Sequence, residues 1–152
     1  LKDCDQFRIN EGAVLMEKFQ DSLSIITDNL NSIKALVPVR KNRLIEKIRN
    51  NFSEWMKDQD FDENRFEQEL IYYFEKLDIT EEIVRLEAHL NLFAEVLRSQ
   101  KSEGKKMGFV SQEMGREINT IGSKANDSSI QHHVINMKDE LEKIKEQALN
   151  II

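Results

Sequence analysis

Residues 104–127 read GKKMGFVSQEMGREINTIGSKAND, and this stretch decides the fold of the chain. Wound as an α-helix at about 100° per residue, it places its apolar side chains on one stripe. The stripe consists of Met107, Val110, Met114, Ile118, Ile121 and Ala125. A charged side runs beside the stripe, and glycines recur every seven residues on another side, at Gly108, Gly115 and Gly122. Because an interior glycine costs roughly 1 kcal/mol relative to alanine, this glycine face predicts a close approach by another part of the molecule.

The composition is typical of a protein built from long helices. The 152 residues include one proline and five glycines, and 33% of them are charged. These proportions favour helices over an all-β fold. No apolar run approaches the roughly 20 residues of a membrane span, so we expect no membrane partner. Cys4 is the only cysteine, which excludes an intrachain disulfide and favours a reducing cytoplasm.

The net charge of −6 is unevenly distributed along the chain. Residues 39–49 carry five basic side chains and one acidic side chain, and residues 101–124 carry five basic and three acidic ones. An acidic protein is a poor candidate for broad, nonspecific binding of nucleic acid. Two local basic patches could still guide a phosphate backbone, although a charged helix face is more commonly just solvated.

Helical periodicity predicts an all-α fold, an elongated bundle of about five helices with coiled-coil-like hairpins. Pro38 predicts a break or a kink at Val37–Pro38, because proline removes a backbone donor and clashes with the preceding turn. A break would make residues 1–58 an antiparallel hairpin, whereas a kink would make them one long arm. Residues 60–152 form the second predicted unit. The apolar seam before the proline is Leu15, Phe19, Leu23, Ile26, Leu30, Ile33 and Val37.

Caps and apolar stripes predict the other helices. One spans about residues 39–57, and the next spans about residues 63–77 with an N-cap at Asp60 or Asp62. The spacing of Asp78–Glu81 is that of a capping box, which starts the helix that precedes the glycine-bearing one. Residues 126–128 (Asn-Asp-Ser) are predicted to cap the last helix. We interpret Tyr72, Trp55 and the phenylalanines as packing residues and not as platforms for stacked bases. The side chains predicted to face inward are Ile45, Ile48, Phe52, Trp55, Phe66, Leu70, Tyr73, Leu77, Ile83, Leu86, Leu90, Phe93, Leu97, Ile130, Val134, Met137, Leu141, Ile144, Ala148 and Ile151.

Two helical faces carry the side chains that phosphodiester hydrolysis needs. Glu82, Arg85 and His89 share one face at spacing i, i+3, i+7, and Glu113 and Glu117 share another at i, i+4. Carboxylates hold Mg²⁺ or Mn²⁺, a histidine moves protons near neutral pH, and arginine or lysine neutralises a scissile phosphate. The structural alternative is that these side chains form ion pairs between helices or along one helix.

Three stretches carry a resemblance to a known family. Residues 81–89 (EEIVRLEAH), 112–127 (QEMGREINTIGSKAND) and 141–147 (LEKIKEQ) closely resemble the C-terminal signature of the YicC-like proteins. This bacterial family looks like a group of metal-dependent endoribonucleases that work as oligomers. The resemblance is dense from about Asn64 to Ile152. A complete member is about twice as long as this chain, so we expect the family's N-terminal half to be absent here.

The resemblance implies RNA and further copies of the same chain as partners, and Mg²⁺ or Mn²⁺ as the cofactor. Together with the spacing, it assigns the catalytic proton chemistry to His89, Glu113 and Glu117. It assigns metal binding to Glu82, Glu113 and Glu117. The candidates for contacting RNA are Arg85, Arg116, Asn119 and Lys124, with the basic helical face Arg40, Arg43 and Lys47. The competing interpretation is a noncatalytic helical module that oligomerises or clamps RNA.

Two positions depart from the family's pattern, and both lie on the glycine face. Relatives usually carry an acid where this chain has Gly108, and an asparagine where it has Gly115. If the glycine face lines the family's site, this chain lacks two polar groups there. The departure therefore bears on the predicted activity and not on the predicted fold.

Overall fold

A computed structural model describes residues 2–55, 62–99, 104–125 and 127–149, with the side chains of residues 2–11 and of Trp55 outside the described set. This part of the chain contains α-helices and no strand, which confirms the predicted all-α, elongated bundle. The helices are α1 (Lys2–Trp55), α2 (Glu63–Leu77), α3 (Thr80–Arg98), α4 (Gly104–Lys124) and α5 (Ser128–Leu149). In the described residues we find no helix with the length and apolar character of a bilayer span.

Helix α1 continues without interruption through Pro38, so the first alternative, a hairpin with its turn at the proline, is wrong. Its 54 residues make an arm about 80 Å long at 1.5 Å per residue. A proline inside a helix costs about 3 kcal/mol, so the surrounding packing must offset that cost. Pro38 itself is exposed, while Ile33 before it is fully buried and Arg40 after it is hydrogen-bonded to two other helices. The chain is therefore held in a helical path on both sides of the proline.

Four helices, α1, α3, α4 and α5, form one antiparallel bundle in which each helix packs against two neighbours. The direction of α1 against α3 follows from the rings of Phe19 and Phe93, whose centroids lie 5.7 Å apart, and from the ion pair of Lys34 with Glu87. Against α5, the Oδ1 atom of Asn29 lies 2.8 Å from Nδ1 of His133. The main core fills the space between these four helices.

The apolar stripes occupy this core as predicted. Every residue of the α4 stripe is buried, from Met107 at 5% exposure to Ala125 at 0%. The predicted stripes of α3 and α5 are buried as well, except that Ile151 lies outside the described residues. Phe109 is an exception among the phenylalanines that we interpreted as packing residues, because it is 64% exposed on the surface of α4.

Helix α2 packs chiefly against the C-terminal half of α1, where a second and smaller core forms. Ile48 and Phe52 from α1 meet Phe66 from α2, and the rings of Phe52 and Phe66 lie 5.7 Å apart. The predicted inward position of Tyr73 is wrong, because its side chain is 40% exposed, and Tyr72 is 52% exposed. One neighbouring helix covers only part of the apolar stripe of α2, so the stripe's last turns remain open.

The helix starts agree with the sequence in two cases out of three. Oδ1 of Asp62 accepts hydrogen bonds from the backbone of α2, and Oδ1 of Asp127 accepts them from the backbone of α5. The alternative cap Asp60 lies outside the described residues. At α3 the predicted capping box is wrong. Oδ1 of Asp78 accepts from the backbone N–H and the hydroxyl of Thr80, while Glu81 pairs with Arg85 instead of returning to the cap.

The glycine face of α4 lies against α5 over part of its length. A β-carbon at Gly115 would lie 3.1 Å from Cδ2 of Leu141, and one at Gly122 would lie 3.1 Å from Cγ1 of Val134. At Gly108 no described residue lies within 4 Å of that position. The predicted close approach is therefore confirmed at two glycines, and no described residue makes it at the third.

Candidate functional site

The charged faces of α3 and α4 meet in the bundle. Because the two helices are antiparallel, Nζ of Lys124 lies 2.7 Å from Oε1 of Glu82, and Nη1 of Arg85 lies 3.9 Å from Oε1 of Glu117. These side chains can meet because each of the four residues borders the apolar stripe of its own helix. We call Glu82, Arg85, Glu117 and Lys124 the α3–α4 charge cluster.

Both carboxylates of the α3–α4 charge cluster are buried. Glu82 is 4% exposed and Glu117 is 5% exposed. Among the described residues, Oε2 of Glu82 is a buried oxygen with no hydrogen-bond partner. Burying a charged oxygen without a partner is costly, and native structures contain few such atoms. The cluster therefore keeps one acceptor available for a further donor or cation.

The cations of the cluster have additional partners. Nη2 of Arg85 contacts Oε1 of Glu81 one turn earlier on α3, and Nζ of Lys124 lies 3.4 Å from the carbonyl oxygen of Asp78. The side chain of Arg85 is still 51% exposed, whereas that of Lys124 is 30% exposed. Of the two, Arg85 is thus better placed to reach a phosphate without leaving the cluster.

The other predicted site residues of α3 and α4 lie beside the cluster and not in it. Glu113 pairs with Arg116 on the same helix at 3.9 Å, and the Arg116 side chain is 76% exposed. Asn119 is exposed. His89 is half-buried and makes no hydrogen bond or ion pair with any described residue. The structure brings Glu82, Arg85, Glu117 and Lys124 together, and leaves His89 and Glu113 without a contact that links them to this group.

Arg40 from the basic face of α1 connects two helix ends. Its Nη1 donates to the carbonyl oxygen of Leu77 at 2.9 Å, and its Nη2 donates to that of Lys124 at 3.0 Å. These are the last residues of α2 and α4, whose carbonyls have no partner within the helix. Burial lowers the pKa of Arg40 below its usual value, and Asp127 and Asp78 oppose the effect. This connecting role could not be predicted from the sequence, because the two carbonyls lie 37 and 84 residues away along the chain.

Arg43 and Lys47, the other members of the basic face, line an open cleft of about 590 Å³. We call it the α1–α2 cleft. The Arg43 side chain is 70% exposed, and its Nη1 lies 3.8 Å from Oδ2 of Asp127. Tyr73 lines the same cleft. The predicted stripe of α2 includes Tyr73, and helical periodicity could not show that this side chain lines an open cleft instead of a core.

The α3–α4 charge cluster offers oxygen ligands of the kind that Mg²⁺ and Mn²⁺ prefer, and the unpartnered Oε2 of Glu82 is one of them. The number of ligands does not fit. In the described part of the chain, no three or more His, Cys, Asp or Glu side chains are grouped so that they could hold a metal ion. Lys124 and Arg85 occupy the positions next to the carboxylates that a cation would need. The described residues of one chain therefore do not form a metal site in this conformation.

Comparison with known proteins extends over nearly the whole chain. Residues 33–152 match the family described as "Endoribonuclease YicC-like, C-terminal". A protein named "Probable endoribonuclease YicC" from Clostridioides difficile is 37% identical over 147 residues, which cover 96% of this chain and 50% of that protein. A protein of the same name from Haemophilus influenzae is 29% identical over 155 residues, covering 99% of this chain and 52% of that protein.

The matched region contains all five residues around which the site is built. Arg40, Glu82, Arg85, Glu117 and Lys124 lie within residues 33–152. The chain spans about half the length of the curated relatives it matches. On the extent of these matches, the chain belongs to the YicC-like family and corresponds to the family's C-terminal region.

Proposed function

We propose that this chain is the C-terminal helical part of an endoribonuclease, which hydrolyses phosphodiester bonds within RNA. The observation that carries the proposal is the family match over residues 33–152, supported by relatives that are named probable endoribonucleases. The α3–α4 charge cluster supports it chemically. It combines a half-exposed guanidinium with a buried carboxylate 3.9 Å away, and phosphodiester hydrolysis uses both kinds of group.

Within this proposal the charged residues have separate roles. Arg85 binds the scissile phosphate from its exposed side, and Lys124, Arg116 and Asn119 bind neighbouring phosphates. Glu117, whose Oε1 lies 3.9 Å from Arg85, is the α4 carboxylate beside that phosphate and accepts the proton of the attacking group. His89 and Glu113 are the further candidates for proton transfer, and they reach the phosphate from the turns of α3 and α4 that flank the cluster.

A requirement for Mg²⁺ or Mn²⁺ is a separate part of the proposal. Glu82, Glu113 and Glu117 can supply only some of the ligands, because the described residues contain no group of three that could hold a cation. We place the remaining ligands outside the described part of this chain. The metal requirement and the cleavage of RNA can therefore be tested independently of each other.

We also propose that the chain self-associates. Large apolar side chains remain exposed on several helices, including Ile71, Val84, Phe109 and Ile135 at 57–64% exposure. Apolar surface favours contact between copies where it is contiguous. Light scattering at high protein concentration should show at least a dimer, and a monomer there would contradict this part of the proposal.

A second candidate function is a noncatalytic helical module that oligomerises or clamps RNA. A specific observation favours it, since the carboxylates of the cluster are already engaged with Lys124 and Arg85. A buried ion pair that holds two helices together needs no catalytic explanation.

Cleavage of labelled RNA by the full-length protein separates the two candidates. The assay compares Mg²⁺, Mn²⁺ and EDTA, and tests Glu117→Gln and Glu113→Gln against Glu142→Gln. Glu142 is a matched control because it is 69% exposed and pairs only with Lys145 in the described structure. The proposal expects cleavage by the parent and by Glu142→Gln, and a loss of about 100-fold or more in Glu117→Gln with RNA binding retained. RNA binding without cleavage under any of these conditions would instead support the module.

A further inference from the structure

The α1–α2 cleft presents a row of polar side chains opposite an aromatic ring. Arg40, Arg43, Lys47 and Asn51 follow one another at i, i+3, i+7 and i+11, so they form one stripe along α1. Tyr73 of α2 lines the cleft together with this stripe. Asp127, which caps α5, and Ser128, the first residue of α5, also line it. The cleft is therefore bounded by three helices, and it remains open to solvent.

The exposed charge in the α1–α2 cleft is basic. Arg40 is held by two carbonyl oxygens, but Arg43 is 70% exposed and Lys47 is exposed. Asp127 is the only acidic side chain among the described residues that line the cleft. Its Oδ1 already accepts hydrogen bonds from the backbone of Ser129 and Ile130. Three cations line the cleft against this one carboxylate, with which Arg43 forms an ion pair at 3.8 Å, so the lining keeps a net positive charge that favours an anion.

Tyr73 gives the cleft a feature that a site for simple anions does not need. Its side chain is 40% exposed, and its ring meets that of Tyr72 edge to face, with centroids 5.9 Å apart. In a perpendicular pair, Tyr72 covers at most one face of the Tyr73 ring, and 40% of Tyr73 remains exposed. Exposed aromatic faces beside a basic groove are the arrangement that binds single-stranded nucleic acids, because bases stack on the rings while cations follow the phosphates.

We propose that the α1–α2 cleft binds a single-stranded segment of RNA, with a base stacked on Tyr73 and phosphates on Arg43 and Lys47. The inference rests on the proposed function, since it takes RNA as the substrate and names the form that is bound. The volume of about 590 Å³ is room for one or two nucleotides and not for a duplex. Bases inside a duplex also have both faces covered by their neighbours, so they could not stack on Tyr73.

Arg40 acts in this proposal as a positioning residue. Its hydrogen bond to the carbonyl of Leu77 holds the end of α2 that carries Tyr73 against α1. Its hydrogen bond to the carbonyl of Lys124 holds the end of α4 at the same arginine. The width of the cleft is set by these contacts. The bound strand consequently lies at the end of the bundle where α3 and α4 carry Glu82 and Lys124.

Fluorescence anisotropy with the full-length protein in EDTA tests the proposal without cleavage. The probes are a labelled oligouridylate of about 12 nucleotides, an RNA duplex of equal length and a polyglutamate peptide. Tyr73→Leu removes the ring but keeps an apolar side chain, and Tyr73→Phe keeps the ring. Arg43→Glu/Lys47→Glu is matched by Lys18→Glu/Lys138→Glu, which reverses two exposed lysines outside the cleft.

Tyr73→Leu should weaken binding of the oligouridylate about tenfold, and Tyr73→Phe should change it less than about twofold. Arg43→Glu/Lys47→Glu should weaken it further and reduce the slope of log affinity against log salt by at least about 1.4. The matched control should bind as the parent does, and duplex binding should not respond to Tyr73→Leu. Without any substitution, the single strand should also slow the chemical acetylation of Lys47 but not that of Lys138.

Unchanged oligouridylate binding in both cleft variants, or equal acetylation of Lys47 with and without the strand, would overturn the proposal. Polyglutamate binding that falls with Arg43→Glu/Lys47→Glu, while RNA binding does not, would instead assign the cleft to an acidic protein segment. The result is distinct from that of the cleavage assay. Cleft-dependent binding with no cleavage rejects only the proposed function, and normal cleavage with cleft-independent binding rejects only this inference.

Discussion

The Nζ atom of Lys124 lies 2.7 Å from Oε1 of Glu82, and this contact joins the last turn of α4 to the first turn of α3. The backbone carbonyl of the same lysine accepts a hydrogen bond from Arg40 of α1. One residue at the end of α4 therefore connects three helices. It does so next to the carboxylate oxygen of Glu82 that lacks a partner among the described residues.

Replacing Lys124 should show how much a buried, unpaired carboxylate at Glu82 lowers the free energy of unfolding. Lys124→Met removes the cation and leaves Glu82 unpaired, so we expect the free energy of unfolding to fall by about 2 kcal/mol. The value is below that of a fully buried pair because the Lys124 side chain is 30% exposed. Glu82→Leu in the same background should recover much of the loss. Urea denaturation of the single and double variants measures the coupling, and strictly additive effects would contradict the pairing.

Arg40 and Arg43 provide a matched comparison on one helix. Arg40→Met removes two charge-assisted hydrogen bonds to the ends of α2 and α4, and should lower the free energy of unfolding by about 2 kcal/mol. Arg43→Met replaces a side chain that is 70% exposed, so it should change the free energy of unfolding by less than about 0.5 kcal/mol. Thermal melts followed by circular dichroism distinguish the two. Equal stability of both variants would mean that Arg40 does not hold these helix ends together.

Asp78 should make the start of α3 sensitive to acid. The hydrogen bond from the Thr80 hydroxyl lowers the pKa of Asp78 below its usual value of 3.8, partly opposed by burial and helped by the Thr80 backbone N–H. A lowered pKa means that the stabilisation is complete above pH 3.8 and is lost as the pH falls through the folded-state value.

Asp78→Ala should therefore lower the free energy of unfolding by about 1 kcal/mol at neutral pH. The loss should become progressively smaller as the pH falls below 3.8. Unfolding titrations of both proteins across the acid range test this. A difference that stays constant with pH would show that the carboxylate charge is not responsible.

The glycine face of α4 should respond differently at each position. Gly108→Ala adds a methyl group where no described residue lies within 4 Å, and should raise the free energy of unfolding by about 0.5–1 kcal/mol. Gly122→Ala places a β-carbon 3.1 Å from the stiff side chain of Val134, so the gain in helix propensity should be lost.

Polar substitutions give a sharper contrast between Gly108 and Gly115. Gly108→Asp should be tolerated, while Gly115→Asn should destabilise the contact with Leu141. Differential scanning calorimetry would show the order. Equal melting temperatures for these two variants would contradict the finding that α5 lies close to Gly115 but not to Gly108.

Glu117 and Glu113 should differ in stability as well as in activity. Glu117 is 5% exposed next to Arg85, so Glu117→Gln should lower the free energy of unfolding by about 1–2 kcal/mol. Glu113 pairs with the largely exposed Arg116, and Glu113→Gln should change stability by less than about 0.5 kcal/mol. Chemical denaturation in EDTA checks both values. A stability loss in Glu117→Gln with cleavage intact would leave this carboxylate a purely structural role.

Sequence alone determined the elements that depend on local spacing. The stripe from Met107 to Ala125 and the caps at Asp62 and Asp127 follow from helical periodicity and from unpaired backbone N–H groups. The family resemblance rests on stretches of the same local kind, and it is confirmed over residues 33–152. The spacing also placed Glu82 and Glu117 on the borders of their stripes, where each can meet a cation of the other helix.

Tertiary structure decided which long-range partners those residues find. Pro38 stays within a helix because Arg40, two residues later, is held by carbonyls that lie 37 and 84 residues away. Tyr73 sits in an apolar stripe and is nevertheless 40% exposed, because that turn of α2 lines the open α1–α2 cleft. Periodicity specifies which face of a helix is apolar, but not how far a neighbour extends along it. That extent depends on contacts between distant segments. It is the reason why the Glu82–Lys124 pair is buried while the α1–α2 cleft is open.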